Sequence, residues 1–341
     1  MRLTGIREMQ MLHLPDPLIV RPDDVLIRMK VVGVCGSDIH YYLNGRIGSQ
    51  VVGYPFTVGH EGAGEVVEVG PAVERVKPGD RIAIEPAMPC YACDQCLSGR
   101  PHTCRHLKFL GCPRQAEGCL SEYLVMPQSS CFPIPQEMTF DEAALSEPLA
   151  IGMYAVKQSI PMFDATVGVL GFGPIGMSVM LSALAKSASK VYVTDKIDAR
   201  INMARSLHAD WAGNPLKEDI VTGILDWEPK GLDVVFECCG QQEAMDQAVE
   251  IVKPGGKIMI AGIPETDRWS FSVDKLRHKE ITIGNVRRQN HTLEETLEII
   301  ASGTMDVSAM VTHRFPLEQC REAFELVAGY HDGVMKAMID I

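Results

Sequence analysis

Four cysteines, Cys90, Cys93, Cys96 and Cys104, are spaced C-x2-C-x2-C-x7-C. Four thiolates crowded so closely suit a tetrahedral zinc with cysteine at every corner. An iron–sulfur cluster also takes four cysteines, but the Cys-Pro ending of bacterial ferredoxins is missing. A closed site of this kind leaves no coordination position for a substrate, so its metal is expected to hold structure. A second group is scattered. Cys35 stands in Gly33-Val34-Cys35-Gly36-Ser37-Asp38-Ile39-His40, where the glycines put it in a loop or at a helix start. Alone it reads more readily as an inert buried thiol than as a ligand. Gly59-His60-Glu61-Gly62 adds an imidazole and a carboxylate, and thiolate, imidazole and carboxylate together make a mixed set suited to zinc. Glu147, just before Pro148 in an apolar stretch, is either a solvated charge at a helix end or one more group aimed at the metal. Cys112, Cys119 and Cys131 lack ligand spacing and read as small buried residues.

A third pattern points to phosphate. Gly171-Phe172-Gly173-Pro174-Ile175-Gly176 fits G-x-G-x-x-G, in which the glycines serve a tight turn, close backbone approach to a pyrophosphate, and close helix–strand packing. An apolar strand precedes it and an apolar helix follows, whose free N–H groups favour an anion. A second strand, Val191 to Thr194, ends in Asp195, 19 residues past Gly176. An acidic residue there is suited to hydrogen-bonding the ribose of NAD and repelling the extra phosphate of NADP. Lys196 beside it blunts that preference.

The elements that must position these groups follow from periodicity. Val25, Ile27, Met29 and Val31 alternate with Leu26, Arg28, Lys30 and Val32, predicting a half-buried strand that delivers the chain to Cys35. Val76 to Arg81 reads as a turn, with strands at 82–84 and 121–125. Thr139 and Glu142 form a capping-box pair that starts a helix. Past the glycines, strands are expected near 191–194, 233–236, 257–261 and 281–285, and helices near 198–207 and 243–252. That alternation implies a doubly wound parallel sheet. Helices are expected again at 292–301 and 317–327, joined by a connecting segment over 312–317.

At 341 residues, 46% of them hydrophobic, the chain suits two domains. A net charge of −12 argues against nucleic acid or an anionic membrane as partner and leaves a small molecule. Eleven cysteines, an odd number, and an opening Met1-Arg2-Leu3 with no apolar leader point to a reducing cytoplasm. Residues 165–185 carry no charge and could span a membrane by length, but four glycines and Pro174 lie between Gly168 and Gly176. They would break a spanning helix, and a buried strand running into a buried helix is equally apolar.

Taken together, Cys35 to His40, Gly59-His60-Glu61, the four-cysteine lobe, Glu147-Pro148, the glycine fingerprint and Thr312 to Leu317 resemble the zinc-dependent medium-chain alcohol dehydrogenases. Cys35 to Tyr42, Gly45-Arg46-Ile47-Gly48 and Arg287 are most similar to the sorbitol and polyol branch. The resemblance implies an α/β fold in which a Rossmann-type doubly wound sheet, 150–285, is inserted into a GroES-like β-barrel catalytic domain. That domain is made of 1–149, with the structural zinc lobe at 88–106, and 286–341. It implies NAD and two zinc ions, one catalytic and one structural. Cys35 and His60 would bind the catalytic ion, and Glu61 and Glu147 would ligate or back it in an order left open. Ser37 and His40 would relay the alcohol proton, and Gly171, Gly173, Pro174, Ile175, Gly176, Asp195 and Arg200 would hold the dinucleotide. Tyr41, Arg287 and Arg288 would meet the substrate, a polyol or sugar derivative oxidised at a secondary alcohol. Arg288 stands where the branch commonly has an aromatic residue; it either admits an acidic sugar, since arginine forks onto carboxylates, or is a surface or interface charge. A threonine-type amino-alcohol dehydrogenase and a non-catalytic nucleotide- and zinc-binding protein are the alternatives, and the family suggests a homodimer or homotetramer.

Overall fold

The computed structural model describes residues 1–264 and 268–341. Its principal elements, in chain order, begin with β1 (Asp24–Gly33), α1 (Gly36–Asn44), β2 (Glu61–Val69), β3 (Arg81–Ile84), β4 (Tyr123–Pro127), β5 (Cys131–Pro133) and α2 (Phe140–Gln158). There follow β6 (Thr166–Leu170), α3 (Pro174–Ala185), β7 (Lys190–Thr194), α4 (Asp198–Ser206), β8 (Trp211–Gly213), α5 (Ile220–Trp227), β9 (Leu232–Glu237), α6 (Gln242–Ile251), β10 (Val252–Ile260), α7 (Val273–Lys279) and β11 (Thr282–Asn285). The chain closes with α8 (Leu293–Ala301), β12 (Val311–Pro316), α9 (Cys320–Ala328) and β13 (Lys336–Asp340). These elements fall into two compact units, Met1–Glu147 with Leu293–Ile341, and Pro148–Thr292.

The first unit is built on a seven-stranded sheet in the order β5-β3-β2-β1-β13-β12, with β4 also paired to β1. All pairs are antiparallel except β12 with β13. Val25, Ile27, Met29 and Val31 are buried, as their alternation requires. Past Lys30 the alternation stops and Val31, Val32 and Gly33 are all buried, because there β1 lies between β2 and β13. The expected connecting segment at 312–317 is instead a strand: β12 pairs in parallel with β13, and Pro316 sits at its last position, where its missing N–H costs least. Helix α2 opens as expected, with Thr139 N–H donating to the Glu142 carboxylate at 2.6 Å and Glu142 N–H donating to Thr139 Oγ1 at 3.2 Å.

The second unit is a six-stranded sheet in the order β8-β7-β6-β9-β10-β11, parallel throughout. Strand order reverses between β6 and β9, the switch point beyond whose carboxyl ends a doubly wound sheet binds its ligand. The uncharged stretch 165–185 divides into β6, the glycine turn and α3. Among the described residues no helix is long and apolar enough to cross a membrane.

Candidate metal centres and dinucleotide turn

The first unit places Cys35, His60 and Glu61 together, each offering a ligand atom, with all three atoms within 4.8 Å of one another. The positions follow from local structure. Cys35 caps the N-terminus of α1 with extended backbone, and Glu61 opens β2 directly after His60. Asp38, one turn into α1, ties the two together. Its Oδ2 accepts from Cys35 N–H at 3.2 Å, its Oδ1 accepts from Gly59 N–H at 3.2 Å, and His60 Nδ1 lies 3.5 Å from Oδ1. Burial works against a charged His60 ring, but the charges of Asp38 and Cys35 outweigh it and raise the pKa well above that of an ordinary histidine. A carboxylate behind a ligating imidazole fixes its tautomer and orientation.

Two further side chains complete this buried group. Lys336 on β13 is 1% exposed, and its Nζ donates to both oxygens of Glu61, at 2.7 and 2.6 Å, and more weakly to Val34 O at 3.4 Å. Glu147 is buried, and its Oε2 has no hydrogen-bond partner. Burial pushes its carboxyl up to about 8; His60 opposes, and the charges of Glu61 and Glu85 add to the rise. A buried carboxylate oxygen without a partner is costly unless something else satisfies it, and the charged groups that act on Glu147 include His60, Glu61 and Lys336 of this same group. The donor set and the orphaned oxygen therefore fit zinc. On α1, Ser37 Oγ lies 3.4 Å from Cys35 Sγ, and His40 follows three residues later on the same helix face. The Tyr41 hydroxyl is turned inward, donating to Gln50 Oε1 at 3.0 Å with Cys112 Sγ at 3.7 Å.

Cys90, Cys93, Cys96 and Cys104 form the second cluster, again with ligand atoms within 4.8 Å of one another. Cys93 Sγ is 3.6 Å from Cys96 Sγ and 3.8 Å from Cys104 Sγ. Four sulfurs about 2.3 Å from a central zinc are separated by about 3.8 Å along each tetrahedral edge, so this set also fits the metal. N–H groups of Cys96 and Arg105 directed at Cys93 bring its thiol down to about 6, and the N–H of Ala92 lowers Cys90. Cys96 moves the other way, to about 12, through local desolvation and its neighbouring sulfurs. Backbone donors thus prepare part of the lobe as thiolate, the form that ligates metal.

In the second unit the three glycines have three distinct surroundings. Gly171 has φ +94°, and a Cβ there would lie 2.6 Å from Cys239 Cβ. A Cβ on Gly173 would meet nothing nearer than the Arg200 guanidinium at 3.5 Å, leaving the turn open to a ligand. A Cβ on Gly176 would fall 1.9 Å from Gly171 O, so α3 packs on the turn only because it has none. Pro174 and Ile175 start α3, where a proline loses no helical donor. Asp195, at the end of β7, accepts from Phe172 N–H at 2.7 Å and Ile197 N–H at 2.9 Å, and its Oδ2 lies 3.8 Å from Arg200. Turn, acidic strand end and guanidinium therefore converge, and they fit a dinucleotide.

Two family models match this chain: the alcohol dehydrogenase GroES-like domain over residues 21–136 and the zinc-binding dehydrogenase domain over 174–302. It is 36% identical to sorbitol dehydrogenase of Bacillus subtilis over 334 residues, 98% of this chain and 94% of that enzyme. The chain belongs to the zinc-dependent alcohol dehydrogenase family. It is also 34% identical to L-idonate 5-dehydrogenase of Vitis vinifera, covering 90% of this chain and 85% of that one. An Escherichia coli dehydrogenase of unknown specificity superposes with a TM-score of 0.94 at 33% identity, over 99% of this chain and 97% of that one.

For this dehydrogenase, two residues of the buried group escape a reading by ligand type. Asp38 was passed over because it lies inside a helix start, although an acid three residues after a candidate ligand is a signal. Lys336 stands in the apolar run Val334-Met335-Lys336-Ala337-Met338-Ile339, where a lone lysine with no polar neighbour calls for a buried partner. The substrate candidates divide between the units: Tyr41 lies on α1 of the first, whereas Arg287, exposed, and Arg288, half-buried with φ +56°, follow β11 in the second.

Proposed function

We propose that the protein oxidises a secondary alcohol of a polyol or sugar derivative with NAD, using zinc held by Cys35, His60 and Glu61. The observation that carries this is the buried convergence of those three ligand atoms beside the partnerless Glu147 oxygen. Zinc at such a site, when bound, supplies a Lewis acid with an open position that makes an alcohol easier to deprotonate near neutral pH. NAD, when bound, supplies the hydride acceptor.

The chain's own residues do the rest. Glu147, buried and under the charges of His60 and Glu61, would bind or back the ion. Lys336 offsets the Glu61 charge and keeps that carboxylate in place, and Asp38 orients His60. Ser37 takes the hydroxyl proton and passes it toward His40 and solvent. Asp195 and Arg200 hold the adenosine ribose, and Asp195 selects NAD over NADP by charge. The four-cysteine lobe holds a second zinc that braces its loop. Tyr41, Arg287 and Arg288 contact the substrate, and the working form is a homodimer or homotetramer. The test is NADH formation across sorbitol, other polyols, aldonates and threonine, with zinc content measured in the same preparation. Turnover of one polyol or sugar class with about two zinc ions per chain supports the reading. No turnover at full zinc content, or turnover of threonine alone, overturns it.

A further inference from the structure

The carboxyl of Glu237 is wholly buried at the last position of β9, beyond every residue assigned above to the cofactor. Its Oε1 accepts from Cys239 N–H at 2.8 Å and from Gly240 N–H at 2.6 Å, closing the turn after β9 onto the strand end. Its main-chain oxygen accepts from Ala261 and Gly262 N–H groups, at 2.8 and 3.0 Å, in the turn after β10. Oε2 has no partner. It faces Gly262, where a Cβ would come within 2.6 Å of it.

The two turns so joined also abut the glycine fingerprint. Cys238 N–H donates to Leu170 O at 2.8 Å, and a Cβ on Gly171 would strike Cys239 Cβ. Gly240, with φ +74°, lies so close to the turn after β10 that a Cβ there would be 2.3 Å from Ile263 O. The Glu237 side chain thus closes the loop after β9, and main-chain bonds at Glu237 and Cys238 tie that loop to those after β10 and β6. Those loops lie at the carboxyl ends of three adjacent strands at the switch point, where a doubly wound sheet meets its dinucleotide.

We propose that Glu237 is a positioning residue for the cofactor, its carboxyl closing the β9 turn beside the glycine fingerprint so that the surface offered to the dinucleotide is formed before it binds. A clamp of this kind acts on affinity by preorganisation, since loops already ordered cost nothing further to order on binding. The neutral amide of glutamine keeps an acceptor for the two N–H groups, whereas alanine leaves both without one. Shortening to aspartate withdraws the acceptor from the turn while keeping the charge.

The inference rests on the dinucleotide reading of the same turn, so NAD binding to the wild-type protein is measured first by quenching of intrinsic tryptophan fluorescence. A wild type that binds no NAD defeats that reading, and this one with it. Given binding, E237A is expected to raise the Kd and KM for NAD about tenfold, a part of what two N–H groups left without an acceptor cost. The KM for the alcohol and the zinc content should stay at the wild-type level, and E237Q should recover most of the affinity. If E237A does not fold, E237D makes the same comparison. Equal NAD affinity in wild type and in the folded E237A or E237D protein would overturn the proposal. So would a variant whose KM values for NAD and alcohol rise together, the mark of general loosening.

Discussion

The two candidate metal centres of the first unit are built by opposite means. The four-cysteine lobe draws its ligands from a short exposed loop, and its charge is managed locally by backbone N–H groups. An exposed ion pair, Arg105 with Asp94, lies alongside it. The buried centre gathers Cys35, His60, Glu61 and Glu147 from a helix cap, a strand start and a second helix, and balances them with Lys336 from the far end of the chain. A closed all-sulfur site needs only a loop. An open mixed site must bury charge and leave one group unsatisfied, which takes a whole sheet and a counter-charge built into it.

The largest effect that separates the two comes from removing ligands. His60→Ala or Cys35→Ala is expected to cut kcat/KM at least about a thousandfold, since metal-based stabilisation is worth several kcal/mol, while one zinc remains. Cys93→Ser should lose the other zinc and stability, yet the protein that stays folded should turn over normally. Zinc analysis with steady-state kinetics decides, and equal activity losses at the two sites would break the distinction.

Charge pairs come next. In zinc-free protein Lys336→Met leaves Glu61 buried with no counter-charge and is expected to cost about 3–5 kcal/mol in urea unfolding. Arg105→Ala breaks an exposed pair and should leave the unfolding midpoint unchanged. A small effect at Lys336 would show that Glu61 is not held by it.

The last effect is one of pH. In zinc-free protein the Glu147 pKa lies near 8, above the ordinary glutamate value, because of burial. The folded state therefore keeps a proton that the unfolded state releases. Its contribution is fully present below the ordinary value and fades as pH rises through about 8. Thermal unfolding of chelated protein should show stability falling over that range, and Glu147→Gln should flatten the fall. A slope unchanged by the substitution would place the effect elsewhere.

The same contrast explains what could be read from the chain. The lobe was legible because its ligands are neighbours in sequence, so spacing alone specifies geometry. The glycine turn was legible because its spacing is local in sequence, and Gly176 packs against Gly171 within the same motif. Cys35, His60 and Glu147 are apart in sequence, so their meeting depended on a fold that only resemblance supplied. Lys336 was missed because nothing near it in sequence hints at Glu61. The strand at 311–316 reads as a connection because Thr312, His313 and Arg314 dilute its apolar alternation, and its parallel partners, from Lys336 for Val311 to Asp340 for Pro316, lie beyond a helix.

The most direct test of the account follows zinc content and NADH formation together while a chelator strips the native enzyme. The account predicts that turnover falls in step with the loss of one zinc per chain, that a second zinc can be retained without activity, and that zinc restores the lost turnover. Full polyol oxidation by zinc-free protein would contradict it.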